Sequence, residues 1–298
     1  MPRKISYTVT EEYNGQKVNQ FLRGCCGFSA RIIRSIKFTP DGMKLNGIRT
    51  RTSEILKTGD VITVFLPDSG DAPAPTEAEI KILYEDDDIL VINKSPFMAM
   101  HPTHNHQGDT LANAVSAHLI SKGINCSFRS VGRLDKGTSG VVVCALNPLA
   151  AYKLSGNVKK EYVALVHGNL SGYGSIDVPI YRPDPMKTLR ACSYEKGTET
   201  ALTHWTVEEN FDGATLVRLN LETGRTHQIR VHMAYSGHPL AGDDMYGDFM
   251  TEIGHHLLHC RSCRLTHPVT GKEMVFEAEL WDDFTNSVEK VKNKSGNE

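Results

Sequence analysis

No apolar run in this sequence approaches the length of a bilayer span, and the N-terminus carries no apolar signal region. A membrane-spanning protein and a secretory leader are therefore not expected, and a cytoplasmic protein without a membrane partner is. Cysteine is sparse and odd in number: seven residues, without the dense spacing of a small disulfide scaffold. That suits reduced thiols in a cytoplasm. No internal repeat is found, and there is no excess charge of one sign. A net charge of −2 does not by itself announce a nucleic-acid partner.

What is present is more informative. At 298 residues the chain can bury one large core with a small extra unit, and 40% apolar with 23% charged residues is ordinary for a globular protein. Charge is unevenly spread. Residues 1–67 hold 11 Lys+Arg against 5 Asp+Glu, a balance of +6; the rest holds 22 against 30, a balance of −8. A basic N-terminal unit on a mildly acidic body fits an RNA-docking module joined to a catalytic domain.

Residues 1–66 are expected to form that unit, with α and β elements. Val18, Phe21 and Leu22 recur at helical spacing, and Ser29 is a good N-cap for a second helix carrying Ile32, Ile33 and Ile36. Arg31, Arg34 and Lys37 then share its outer face. Asn46-Gly47 signals a two-residue hairpin, and Gly59-Asp60 turns into a strand over 61–66. This order resembles the small RNA-binding domain named after ribosomal protein S-four, with Asn19 where Asp is frequent and Ser-Ala-Arg where Ser-Arg is commoner. The resemblance implies phosphate contacts from Arg31, Arg34 and Lys37.

The Pro-rich stretch 67–78 reads as a linker, 79–285 as the main domain, and 286–298 as a disordered tail. Strands are expected over 80–84, 89–93, 141–146, 162–167, 201–207, 215–221, 257–265 and 274–280. Helices are expected over 111–121, capped by Asp109 or Thr110, and from Pro148. The acidic turn 85–88 reads as solvated. The gaps between late strands are too short for regular helical crossovers, so a mixed α/β (α+β) fold with a largely antiparallel sheet is expected.

The segment Gly132-Arg133-Leu134-Asp135-Lys136-Gly137-Thr138-Ser139-Gly140 places one carboxylate in a glycine-bracketed turn ahead of an apolar strand. Its R-L-D-x-x-T-S-G pattern resembles the catalytic motif of the RluA-like pseudouridine synthases, of the RluC and RluD type. That resemblance implies a pseudouridine synthase, an isomerase acting on RNA, with Asp135 as the catalytic residue. A second run, Thr223-Gly224-Arg225-Thr226-His227-Gln228-Ile229-Arg230-Val231-His232, continues through Asp243 to Tyr246-Gly247 and resembles the same family. Thr226 is the expected cap of a helix ending near Gly237. The resemblance pairs Arg230 with Asp135, which makes physical sense. Desolvation raises a carboxylate pKa, a neighbouring guanidinium lowers it, and Arg keeps its own proton. Arg225 and His227 could bind RNA phosphate or order the turn, and Arg133 is a further RNA-binding candidate. Lys160 to Val166 matches a third element, which implies that Tyr162 stacks on the target base. Asn93-Lys94 and His101-Pro102 match a fourth. There Ser95 stands for Pro and Phe97 for Gly, and Gly132 stands where His is common.

His255, His256, His259, Cys260, Cys263 and His267 invite a zinc reading. In a regular strand, however, Cys260 and Cys263 point to opposite faces, which suits one metal badly. No metal and no small-molecule cofactor are expected, because the implied isomerisation needs neither redox chemistry nor hydrolysis. The expected partner is RNA, with ribosomal RNA favoured, especially that of the large subunit, and transfer RNA second; the protein is expected to act as a monomer. Two rivals remain at this point: a non-catalytic RNA-binding or ribosome-assembly protein on the same fold, and a metal-dependent nuclease or deaminase using the His/Cys cluster.

Overall fold

A computed structural model describes residues 3–67, 72–104, 106–124 and 126–295. The N-terminal unit is a four-stranded antiparallel sheet. β1 (Arg3–Thr8) pairs with β4 (Val61–Leu66), β4 with β2 (Met43–Leu45), and β2 with β3 (Ile48–Arg49). Asn46 and Gly47 take φ of 49° and 84°, the pair of left-handed residues that a two-residue hairpin requires. Helix α1 (Val18–Gly24) buries Val18, Phe21 and Leu22, and α2 (Ala30–Phe38) buries Ile32, Ile33 and Ile36 in one core with the strands. Ser29 caps α2 by accepting from the Ile32 amide.

The body is a nine-stranded sheet of mixed direction. Its order is β5 (Lys81–Glu85), β6 (Ile89–Lys94), β7 (Ser139–Ala145), β14 (Leu258–Thr266), β8 (Lys159–His167), β13 (Ala214–Leu221), β12 (Leu202–Phe211) and β9 (Tyr173–Asp177), with β15 (Glu273–Glu277) also on β14. Among these described pairs only β7–β14 is parallel. The fold is thus α/β with a largely antiparallel sheet. β6 and β7 are buried at every position, which explains their unbroken apolar runs. Around the sheet lie α3 (Leu111–Ser121), capped by Thr110, α4 (Pro148–Leu154), capped by Asn147, and α5 (Gln228–Tyr235). β10 (Ile180–Tyr181) and β11 (Ala191–Cys192) make a separate ribbon. The sequence pattern does not announce β9, β10 or β11, and two of these are too short to show a period.

The expected disordered tail, 286–298, is helical over its described part. A helix, α6 (Asp282–Ser295), covers 286–295, and 296–298 lie outside the described residues. Phe284, Val288 and Val291 recur at helical spacing and pack with Val163, Leu165 and Phe211, so one narrow apolar stripe holds an otherwise polar helix. The acidic turn also departs from expectation. Asp87 is exposed, but Asp88 is only 2% exposed. Asp88 accepts from Arg3 Nε and Nη2, at 2.9 and 2.8 Å, and from the Asn147 side chain at 2.8 Å. Asp86 accepts from the Asp88 and Ile89 amides and pairs with His267. The cause is tertiary, since β1 and α4 both converge on this turn. Leu149 of α4 is fully buried in the N-terminal core, so the two units share a packed boundary. Of the expected linker, 68–71 lies outside the described residues, while Pro73 and Ala74 accept bonds from Ser116 and Asn113 of α3.

Candidate active site

The Asp135 turn is tied down at every step. The Thr138 amide donates back to the Asp135 carbonyl at 3.0 Å, and the buried ammonium of Lys94 donates to the Lys136 carbonyl at 3.0 Å. Thr138 Oγ1 lies 2.8 Å from His256 Nε2, and Ser139 Oγ lies 2.8 Å from His259 Nδ1. Two histidines three residues apart, His256 just ahead of β14 and His259 on it, thus hold the Thr-Ser pair of the motif. Gly140 closes the turn at φ 103°. A Cβ there would lie 2.2 Å from the Cys260 carbonyl oxygen, so only glycine lets β7 meet β14 this closely. The parallel register, Ser139 with His259 and Gly140 with Cys260, brings both loops to the same end of the sheet.

Opposite this turn stands α5. Arg230 is 5% exposed, and its principal partner is Asp243, not Asp135. Nε and Nη2 donate to the two Asp243 oxygens at 2.7 and 2.8 Å, while Nη1 reaches Asp135 Oδ2 at 3.5 Å. Asp243 is fully buried. Burial opposes the Arg230 charge, but the bonds and field of Asp243, followed by Asp135, hold its pKa above the ordinary value. The guanidinium also lies over the Tyr246 ring, 5.1 Å from its centroid. The carboxylate pair therefore shares one cation, and the Asp135 side chain, 16% exposed, is the member facing outward.

The α5 start differs from expectation. Thr226 is not the cap; His227 occupies that position with φ 58° and no side-chain capping bond. Gln228 instead orders the turn ahead of the helix, its Oε1 accepting from the Arg225 amide and from Thr223 Oγ1. The left-handed turn directs His227 toward Asp135, with Nε2 at 3.8 Å from Oδ2 and Nδ1 at 2.9 Å from the Tyr246 hydroxyl. Burial pulls the His227 pKa down, with Arg230 and Arg190 adding to this against Asp135 and Asp243.

Tyr162 on β8 is opposite Cys260 in register and 7% exposed. Burial, with Cys260 and Asp135 nearby, raises its hydroxyl pKa well above the usual value. The remaining sequence candidates are not gathered here. Arg133 is exposed beside the turn. Arg225 orders a neighbouring loop, donating to the Thr200 carbonyl at 3.0 Å and approaching Glu199 at 3.7 Å. Arg31, Arg34 and Lys37 are exposed together on α2. Sequence reasoning gave no role to Asp243, Tyr246 or Lys94, although all three sit in stretches that carry the family resemblance, and it read His256 only as a zinc candidate.

The His/Cys cluster is committed to structure. His256 and His259 hold the turn, His255 bonds Asp283 at 2.5 Å, and His267 bonds Asp86 at 2.8 Å. A bulge between Cys260 and Ser262 breaks the expected alternation, so both Cys260 and Cys263 fall in the main core. Burial raises both thiols, Cys263 to about 12, and a protonated thiol is a poor metal ligand. Asp86, Asp88 and His267 also lie close enough together to suggest a cation site, but protein donors already occupy their oxygens.

Residues 88–235 match the RNA pseudouridylate synthase family. The chain is 37% identical over 273 residues to YjbO of Bacillus subtilis (strain 168), an uncharacterized RNA pseudouridine synthase, covering 89% of this chain and 96% of that protein. It is 34% identical over 315 residues to ribosomal large subunit pseudouridine synthase D of Vibrio vulnificus (strain CMCP6), covering 97% and 95%. Among solved structures, Human RNA Pseudouridylate Synthase Domain Containing 4 has a TM-score of 0.57 at 23% identity, over 71% of this chain and 92% of that one, a likeness of fold.

Proposed function

The chain belongs to the RNA pseudouridylate synthase family and is an isomerase acting on RNA, and we propose that its substrate is large-subunit ribosomal RNA and its catalytic residue Asp135. The name of the Vibrio vulnificus relative supports the ribosomal target, with transfer RNA second. The single observation that carries the assignment of Asp135 is its shared cation: Arg230 is anchored by the fully buried Asp243 and extends one N–H to the outward-facing Asp135. A carboxylate held this way is oriented toward the site without being locked in a bidentate pair.

The target uridine leaves its stack and enters the site, where Tyr162 holds the uracil. Asp135 either attacks ribose C1′ or removes a sugar proton to give a glycal. The N1–C1′ bond breaks, the uracil rotates, and C5 bonds C1′, either as the Asp135–C1′ ester bond breaks or as Asp135 returns the proton to C2′ of the glycal. C5 then loses its proton and N1 gains one, so atoms balance without oxidant, water or cofactor. Arg230 supports the carboxylate through the cycle.

Residues 1–66 serve as an S-four-like docking domain joined through 67–78 to the catalytic domain, 79–285. Arg31, Arg34 and Lys37 contact phosphates there, and Arg133 does so beside the site. Arg225 and His227 have less claim to RNA contact, because both are engaged within the protein. The protein acts as a cytoplasmic monomer.

The test is tritium release from ribosomal and transfer RNA labelled at uridine C5. Wild type should release tritium and Asp135→Asn, folded and RNA-bound, should not. Turnover by Asp135→Asn at the wild-type rate would remove Asp135 from the chemistry.

A further inference from the structure

Phe97 is the least comfortable residue near the site. It takes φ 66°, a left-handed conformation that suits glycine. Its ring is 53% exposed, so it recovers little from burial. It meets His255 in a T-shaped contact, with centroids 4.6 Å apart and planes at 77°, and more than half of the residue stays open to solvent. Taken locally, every term favours a smaller residue there.

The strain is held by the catalytic loop's own anchor. Lys94 donates to the carbonyls of Ser95 and Met98, each at 2.8 Å, gripping the chain on both sides of Phe97. The same ammonium bonds Lys136, the residue after Asp135. His255, under the ring, precedes the His256 that holds Thr138. Phe97 is thus fixed twice to the Asp135 turn, and strain held by such surroundings is a mark of functional positions.

We propose that Phe97 is a stacking platform for an RNA base flanking the flipped uridine. When the uridine leaves the helix, its neighbour loses a stacking surface, and an exposed phenyl face beside the site replaces it. The face accepts any base, so it contributes affinity more than sequence choice. Tyr162, buried on β8, is left for the target uracil itself. The inference rests on RNA being the substrate.

The test compares full-length wild type with Phe97→Gly, Phe97→Leu and Phe97→Trp. Dissociation constants are measured by filter binding to ribosomal and transfer RNA transcripts, KM and kcat by tritium release, and stability by thermal melting. Phe97→Gly relieves the strain and should melt no lower than wild type, yet raise the dissociation constant and KM about tenfold with kcat nearly unchanged. Phe97→Leu keeps the strain and the apolar contact without the π face, and should bind as weakly as Phe97→Gly. Phe97→Trp should bind as wild type does. Wild-type affinity in Phe97→Leu or Phe97→Gly overturns the proposal, and in Phe97→Gly a lower melting temperature would then assign the ring to packing on His255. If wild type bound these RNAs but released no tritium from any of them, the proposed function would fail while the binding comparison still judged Phe97.

Discussion

A single buried ammonium links three parts of the site. Lys94 is 1% exposed and donates to three carbonyls, those of Ser95, Met98 and Lys136. Burial pulls its pKa down from 10.5 to about 7, against the opposing pull of Asp135. A folded-state pKa below the unfolded one means that the unfolded chain holds the extra proton between pH 7 and 10.5. The stability of wild type relative to Lys94→Met should therefore rise across that window, by at most about 1.4 kcal/mol per pH unit. Urea unfolding at pH 7, 8 and 9 measures this; a constant difference would mean that the three carbonyls keep the ammonium charged. Lys94 also shows where residue-level legibility ends. Asp135, Arg230 and Tyr162 could be picked out from short motifs, and the fold brings the first two within 3.5 Å. The partnerships of Lys94 with Lys136, Thr138 with His256 and Arg230 with Asp243 join residues 42, 118 and 13 positions apart, which no local pattern specifies.

At the scale of elements, the decisive contact is the parallel pairing of β7 with β14. Gly140→Ala would drive a methyl into the Cys260 backbone, which cannot yield as a flexible side chain can. The substitution should cost about 3 kcal/mol or more and abolish turnover by displacing the turn ahead of it. Denaturant unfolding with tritium release would check both, and a variant of wild-type stability would refute the contact. Strand positions in the catalytic domain were readable because β6, β7 and β8 are long apolar runs. The bulge at Cys260 was not, since two strands must pair before an extra residue has any meaning. Helix α6 was missed for a different reason: its stripe of Phe284, Val288 and Val291 is one residue wide, and its value lies in the core it meets.

For the whole molecule, the boundary between the two units matters as much as either unit. Arg3 reaches across to Asp88, and Leu149 of the body fills the N-terminal core. Deleting residues 1–67 should weaken RNA binding and lower the slope of log affinity against log salt by about 2 to 3, the share of three phosphate contacts. It should also lower the melting temperature of what remains, because Leu149 and Asp88 lose their cover. Filter binding across a salt series and thermal melting measure the two effects; an unchanged slope would end the docking role of Arg31, Arg34 and Lys37. The parallel seam has a consequence in time. Ser139 is held by His259, 120 residues further along, so the loop carrying Asp135 cannot be ordered until the polypeptide has been made well past that histidine. Contacts of such long range close late in folding. A chain still emerging during synthesis therefore carries the aspartate but no assembled centre, and completion of the fold is itself the event that switches the enzyme on.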